Sequence, residues 1–255
     1  METLKSNKIF SQILDLGEIM LRSGGEVYRV EDTIARLVKA YGATESHVFC
    51  IPSNIIVTIT IDGQEITHSR RVLNVETNLE LLDRMNDLAR RICRETPDAE
   101  EFERLILEKS VVRKYNHIQK ILIYAIVSFS FAVFFGGSWL DACASAVTGV
   151  FLYFAAMLTR MVGGNIVFQD IFCAGVSALL AVTFTRLGFG HDADKIIIGN
   201  VMLLIPGVEL VNGMRDFITG DIQAGTMHIA EALFLAIAIA VGAAGVLTLM
   251  GGGQI

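Results

Sequence analysis

From Ile9 to Tyr41 the apolar positions recur at helical spacing. Ile9, Phe10, Ile13, Leu14, Gly17, Met20 and Leu21 share one face, and Val27, Val30, Ile34, Leu37, Val38 and Tyr41 share another, which predicts two amphipathic helices. Ser23-Gly24-Gly25 separates them and Gly42 closes the second, because glycine takes the left-handed conformation that ends a helix. The period then shortens. Ser46–Cys50 reads as a short strand, Pro52-Ser53-Asn54 as a turn, and the β-branched run Ile55–Ile61 as a second strand. Asp62-Gly63 is a hairpin signal, and Glu65–Arg71 alternates as the returning strand. Two helices follow. One comes after Thr77-Asn78, with Leu79, Leu82, Met85, Leu88, Ala89 and Ile92 inward, and one starts at Thr96-Pro97.

Beyond residue 116 the alternation of polar and apolar positions gives way to long apolar stretches. Five, at about 117–135, 139–158, 166–187, 196–214 and 229–250, approach the ~20 residues needed to cross a ~30 Å hydrocarbon layer. The pattern predicts a membrane protein: a small cytosolic α+β domain with a meander of strands (residues 1–115), then a helical bundle of five transmembrane helices (residues 116–255).

Charge sharpens this division. Of 21 Lys+Arg, 17 lie within the first 120 residues, as do 19 of 27 Asp+Glu. Hydrophobic residues make up 53% of the chain and the mean hydropathy is +0.53, too apolar for an ordinary soluble domain. The net charge of −6 is spread over mixed-sign helices, which argues against a nucleic-acid partner. No cleavable signal peptide is expected at the N-terminus. Arg113, Lys114 and Lys120 flank the first apolar stretch and place the N-terminus on the cytoplasmic side of the inner (plasma) membrane. Five spans then put Gly251–Ile255 outside. Cys50, Cys93, Cys143 and Cys173 are scattered, with no histidine at ligand spacing, so neither a metal nor another cofactor is expected. No nucleophile–histidine, zinc or nucleotide motif is present either, so an enzyme is the least favoured class.

The fourth apolar stretch carries the candidate chemistry. In NVMLLIPGVELVNGMRD, Asn200–Asp216, Pro206 interrupts the run and Glu209 follows three residues later. Proline donates no backbone N–H and clashes with the preceding turn, so the helix should kink or break. From Glu209, positions i+3, i+4 and i+7 are Asn212, Gly213 and Asp216, a single polar face. A broken helix with an acidic face suits a transport site at mid-membrane, since ionisable residues in spans are rare and tend to be functional. Protonating a desolvated carboxylate can couple proton movement to a conformational change. Asp170 and Glu231, early in the third and fifth stretches, are relay candidates, and Arg215 can pair an anionic substrate. The plainer alternative is a proline kink whose Glu209 snorkels or pairs with Arg215. In the soluble part, RSGGEVYRVEDT crowds Glu26, Arg29, Glu31 and Asp32 around a glycine pair. It lacks the strand and lysine of a phosphate loop, and reads as a helix–turn–helix corner with a solvated face or as an interaction surface.

As a set, LRSGGEVYRVEDTI, IPSNIIVTI, TNLELLDRMNDLARRI, FFGGSWLDA and LIPGVELVNGMRDFITGDIQAG followed by EAL resemble the threonine/serine exporter family, and more narrowly its YjjP-type larger subunit. The resemblance covers essentially the whole chain. It implies proton-coupled export of a small amino acid (threonine, serine) or of a dicarboxylate such as succinate. It also implies a separate small membrane subunit of the YjjB type. The odd number of spans without an internal repeat points to a partner as well, and a homo-oligomer stays open. The competing class is a membrane-anchored metabolite sensor or scaffold that uses the cytosolic domain. Basic groups in the membrane half are limited to Arg160, Arg186, Lys195 and Arg215, all near stretch ends, which favours a zwitterion or a site completed by the partner.

Overall fold

The computed structural model describes residues 2–73, 75–112 and 115–251. Arg113 and Lys114, which support the expected orientation, and residues 252–255 of the expected external C-terminus lie outside the described residues. The chain divides into two compact units, Met1–Arg113 with Val208–Ile229, and Lys114–Gly207 with Ala230–Ile255.

In the first unit, α1 (Glu2–Arg22) and α2 (Val27–Ala40) precede an antiparallel sheet in the order β1 (Glu45–Ile51), β2 (Asn54–Ile61), β3 (Gln64–Arg71). Ile55, Val57 and Ile59 of β2 point into the core while Ile56 is exposed, the alternation a half-buried strand requires. The hairpin turns at Asp62 and Gly63, both at positive φ (51° and 76°), so its twist matches that of the strands. Two helices, α3 (Leu79–Glu95) and α4 (Ala99–Ser110), cover the remaining core side, with Met85, Leu88, Ile92 and Phe102 fully buried. Asn78 caps α3, its side chain accepting from the Leu81 N–H at 3.0 Å. The expected start at Thr96-Pro97 is displaced. Thr96 ends α3 in the left-handed region, and Asp98 caps α4 by accepting from Glu100 and Glu101, because its carboxylate reaches two free first-turn N–H groups.

The second unit begins with α5 (His117–Phe134), α6 (Trp139–Met161) and α7 (Ile166–Arg186). Capping side chains set their starts: Asn116 with Gln119 for α5, Ser138 with Asp141 for α6, Asn165 for α7. Next comes α8 (Ala193–Val201), which packs against α5, α6 and α7. The chain is irregular over 202–206 and resumes as α9 (Gly207–Thr219) and α10 (Ile222–Leu249). The expected fourth span is therefore two short helices. Pro206 supplies no N–H and disfavours helical geometry at Ile205. Among the described residues, four helices, α5, α6, α7 and α10, are long and apolar enough to cross a membrane. The last begins at Ile222, earlier than the expected start near residue 229.

Close helix approach in the second unit depends on small residues. A Cβ on Gly199 would lie 2.6 Å from Ser145 Oγ and 2.8 Å from the Ser128 carbonyl oxygen. Gly199→Ala is expected to destabilise this unit by about 1–3 kcal/mol through overpacking. Thermal unfolding of the detergent-solubilised chain checks this, and an unchanged midpoint would show that α8 can move aside.

Candidate functional site

Within the second unit the break after α8 borders a buried polar seam. Asn200, the penultimate residue of α8, is fully buried, and its Nδ2 donates to Ser145 Oγ (3.0 Å) and to the Ile196 carbonyl (2.8 Å). Ser145 Oγ donates in turn to the Ser128 carbonyl at 3.0 Å. Asn200 Oδ1, Ser128 Oγ and Ser177 Oγ are buried without a partner. Each such group costs about 1–3 kcal/mol, so the seam has hydrogen-bonding capacity that a passing polar molecule or water can take up. Asn200, Ser145 and Ser128 come from α8, α6 and α5, and Ser177 lies on α7.

Asp170, on α7, is buried at 3% exposure, and its carboxylate has neither a hydrogen-bond nor an ion-pair partner among the described residues. Asp141 is buried too, but it is saturated. It accepts from Ser138 N–H and O–H, and from the N–H groups of His191 and Asp192, and so ties the start of α6 to the loop before α8. Glu231 is exposed.

The other predicted residues, Pro206 apart, sit in the first unit, together with the glycine-pair corner. Asn212, Gly213 and Asp216 are the buried residues of α9, while Val211, Met214 and Ile218 face outward. Asn212 Nδ2 donates to the Gly24 carbonyl at 3.2 Å. Gly213 lets α9 approach the start of α10, for a Cβ there would lie 2.9 Å from Ile229. Asp216 is wholly buried, with Oδ2 at 2.8 Å from His228 Nδ1 and Oδ1 unpartnered. Burial pushes the Asp216 carboxyl above its ordinary range, with the His228 hydrogen bond opposing the shift. Glu31 is raised by burial as well, although its Oε1 accepts from the Cys50 N–H at 2.7 Å. Arg215 forms an ion pair with Glu26, whose Oε2 lies 3.0 Å from Arg29 Nε. The alternative pairing of Arg215 with Glu209 is not formed. Glu209 is half-buried, Pro206 is buried ahead of α9, and the charged corner is only partly solvated. Arg29, Asp32 and Arg36 face out, but the Glu26 side chain is 13% exposed.

Asn200, Ser128, Ser145, Ser177 and His228 escaped the sequence reading. A serine in an apolar helix satisfies its own turn cheaply, and a lone histidine at a helix start carries no spacing signal. The usable hint was that small polar residues recur within each of these apolar helices.

Residues 11–250 match the family of threonine/serine exporters, ThrE. The chain belongs to the threonine/serine exporter family. A relative from Mycobacterium tuberculosis named "Probable threonine/serine exporter" is 26% identical over 94% of this chain, which spans 46% of that protein. The Corynebacterium glutamicum "Threonine/serine exporter" is 26% identical over 80% of this chain and 44% of its own length. The chain thus spans under half the length of these two relatives. The Escherichia coli "Probable succinate transporter subunit YjjP" is 27% identical over 98% of both proteins. No solved structure matches the chain significantly.

Proposed function

We propose that this chain is the larger subunit of a secondary transporter that exports a small amino acid such as threonine or serine, or a dicarboxylate such as succinate. The carrying observation is the interrupted path after α8, where buried Asn200 and the serine seam leave hydrogen-bonding groups unfilled beside broken backbone. Irregular backbone at membrane depth is tolerated where it is buried in protein or lines a polar cavity, and transporters build their sites there. In this reading Asp170 is the carboxylate of the membrane path, taking up a proton or a substrate group. Glu209, Asn212, Arg215 and Asp216, on the helix that Pro206 sets off, form a second polar station, and Glu231 lies on the path's rim. Export is proton-coupled, with Asp216 and His228 as the exchanging pair.

We place the first unit, with α9, in the cytoplasm and the four long helices, with α8 packed among α5, α6 and α7, in the inner membrane. The word "subunit" in the name of the full-length Escherichia coli relative supports a separate small membrane partner of the YjjB type. The longer exporter relatives leave room for a further part of comparable size.

The test is efflux of labelled serine, threonine and succinate from preloaded cells that co-express this chain and the small subunit. One substrate is expected to leave faster than from cells lacking the chain, and a protonophore to abolish the difference. Equal efflux of all three with and without the chain would refute the exporter reading. Protonophore-insensitive efflux would refute proton coupling.

A further inference from the structure

Helix α9 has its polarity reversed for a helix on a water-facing surface. Its buried residues are Asn212, Gly213 and Asp216, whereas Leu210, Val211, Met214, Phe217 and Ile218 are exposed. That spacing puts the five apolar side chains on one stripe. Ile218 is 82% exposed, and Arg215 borders a shallow apolar depression with Leu210, Val211, Met214 and Ile218. The acids of the helix contribute little to this face, because Asp216 is wholly buried and Glu209 half-buried. Apolar exposure continues past Gly220 and Asp221 onto the foot of α10, where Ile222 is 67% exposed. A contiguous apolar patch of this kind marks a surface that something else covers.

What covers it follows from the element that comes next. Helix α10 is long and apolar enough to cross a membrane. Its 28 residues at ~1.5 Å each give about 42 Å, roughly 12 Å more than the ~30 Å hydrocarbon layer. The part of α10 that belongs to the first unit, Ile222–Ile229, matches that surplus at ~1.5 Å per residue. The foot of α10 therefore stands at headgroup depth, and the Gly220-Asp221 link holds α9 close to it. An aliphatic stripe at that depth, edged by a cation whose stem can lie along it, suits the acyl boundary of a lipid leaflet. The core of a protein interface is richer in aromatic residues, and this stripe has Phe217 alone. We propose that α9 lies in the plane of the bilayer surface, with Val211, Met214 and Ile218 seated among the upper acyl chains. This placement goes beyond the exporter reading and holds whichever substrate moves.

The experiment is depth-dependent fluorescence quenching of the full chain in phosphatidylcholine–phosphatidylglycerol vesicles, with lipids brominated either high or low on the acyl chain. Trp139 is the one tryptophan of the sequence, so Trp139→Phe removes the native signal. Single reporters are then introduced as Val211→Trp, Ile218→Trp and, as a reference within the span, Phe234→Trp. All three positions are exposed, so the fold should accept the larger ring. Val211 and Ile218 lie about two turns apart, ~10 Å along the helix axis. An in-plane helix holds both at one depth, and a crossing helix separates them by that distance. Both are expected to be quenched equally, more by the high bromines than by the low ones, and to be shielded from iodide on either side of the vesicle. Phe234→Trp is expected to show the opposite preference. Unequal depths for the two α9 reporters would overturn the proposal in favour of a crossing helix. Iodide quenching without lipid quenching would place the stripe in water, and protection from both quenchers would place it under a protein partner or a second copy. Either result overturns the proposal. The readout involves no flux, so failure here leaves the exporter reading standing, and failed efflux leaves the quenching result unchanged.

Discussion

Asp170→Asn is expected to lower efflux of the exported substrate about 5–150-fold, the range that a coupling free energy of ~1–3 kcal/mol represents, with normal insertion and abundance. Asp170 is 3% exposed, and an uncompensated buried carboxylate is expensive unless it is protonated or visited by a ligand. The amide keeps the shape and removes the titrating charge, so folding should survive while the coupled step does not. Asp141 is the built-in contrast. It is equally buried but holds four donors, so Asp141→Asn should reduce the amount of folded protein rather than the flux per molecule. Efflux per unit of membrane-inserted protein decides between them. Full activity in Asp170→Asn would remove this carboxylate from the path.

His228→Ala is expected to destabilise the first unit by about 3–5 kcal/mol at alkaline pH, because it strands a wholly buried carboxylate without its partner. Burial raises the Asp216 carboxyl above its unfolded value. Stability from that group is therefore complete below the unfolded pKa and is lost as pH rises through the folded one. The variant loses the hydrogen bond that opposes the shift, so its deficit should widen as pH increases and narrow in acid, where the carboxyl is neutral. His228→Asn places an amide N–H near the Nδ1 position and should recover part of the loss. Chemical unfolding of the purified chain across pH measures all three, and a deficit that is constant or grows toward acid would contradict the pairing.

Much of this protein was legible from local rules. The faces of α1, α2 and α3, the Asp62-Gly63 hairpin and the alternation of β2 follow from spacing and turn chemistry over a few residues. The three apolar stretches that became α5, α6 and α7 were set by length and composition, and the break near Pro206 by one missing N–H. Spacing also put Asn212, Gly213 and Asp216 on one face of a helix.

What that face packs against was not legible. Asn212 bonds Gly24 across 188 positions, and Arg215 meets Glu26 across 189. Local pattern says that a polar face exists, and only the folded chain shows which partner satisfies it. The expected mid-membrane station thus came to lie within the same compact unit as the glycine-pair corner, and Glu26 of that corner became the ion-pair partner of Arg215. The seam of Asn200, Ser145 and Ser128 was invisible for the same reason. Each residue is unremarkable on its own helix, and their chemistry arises only where α5, α6 and α8 come close enough for one side chain to reach the next. The sequence by itself determined the elements, their apolar faces and the point where the fourth stretch breaks, because these depend on interactions within a turn or two. The tertiary structure decided which buried polar groups found partners and which were left open, because that depends on long-range packing of surfaces whose pairing no local rule encodes.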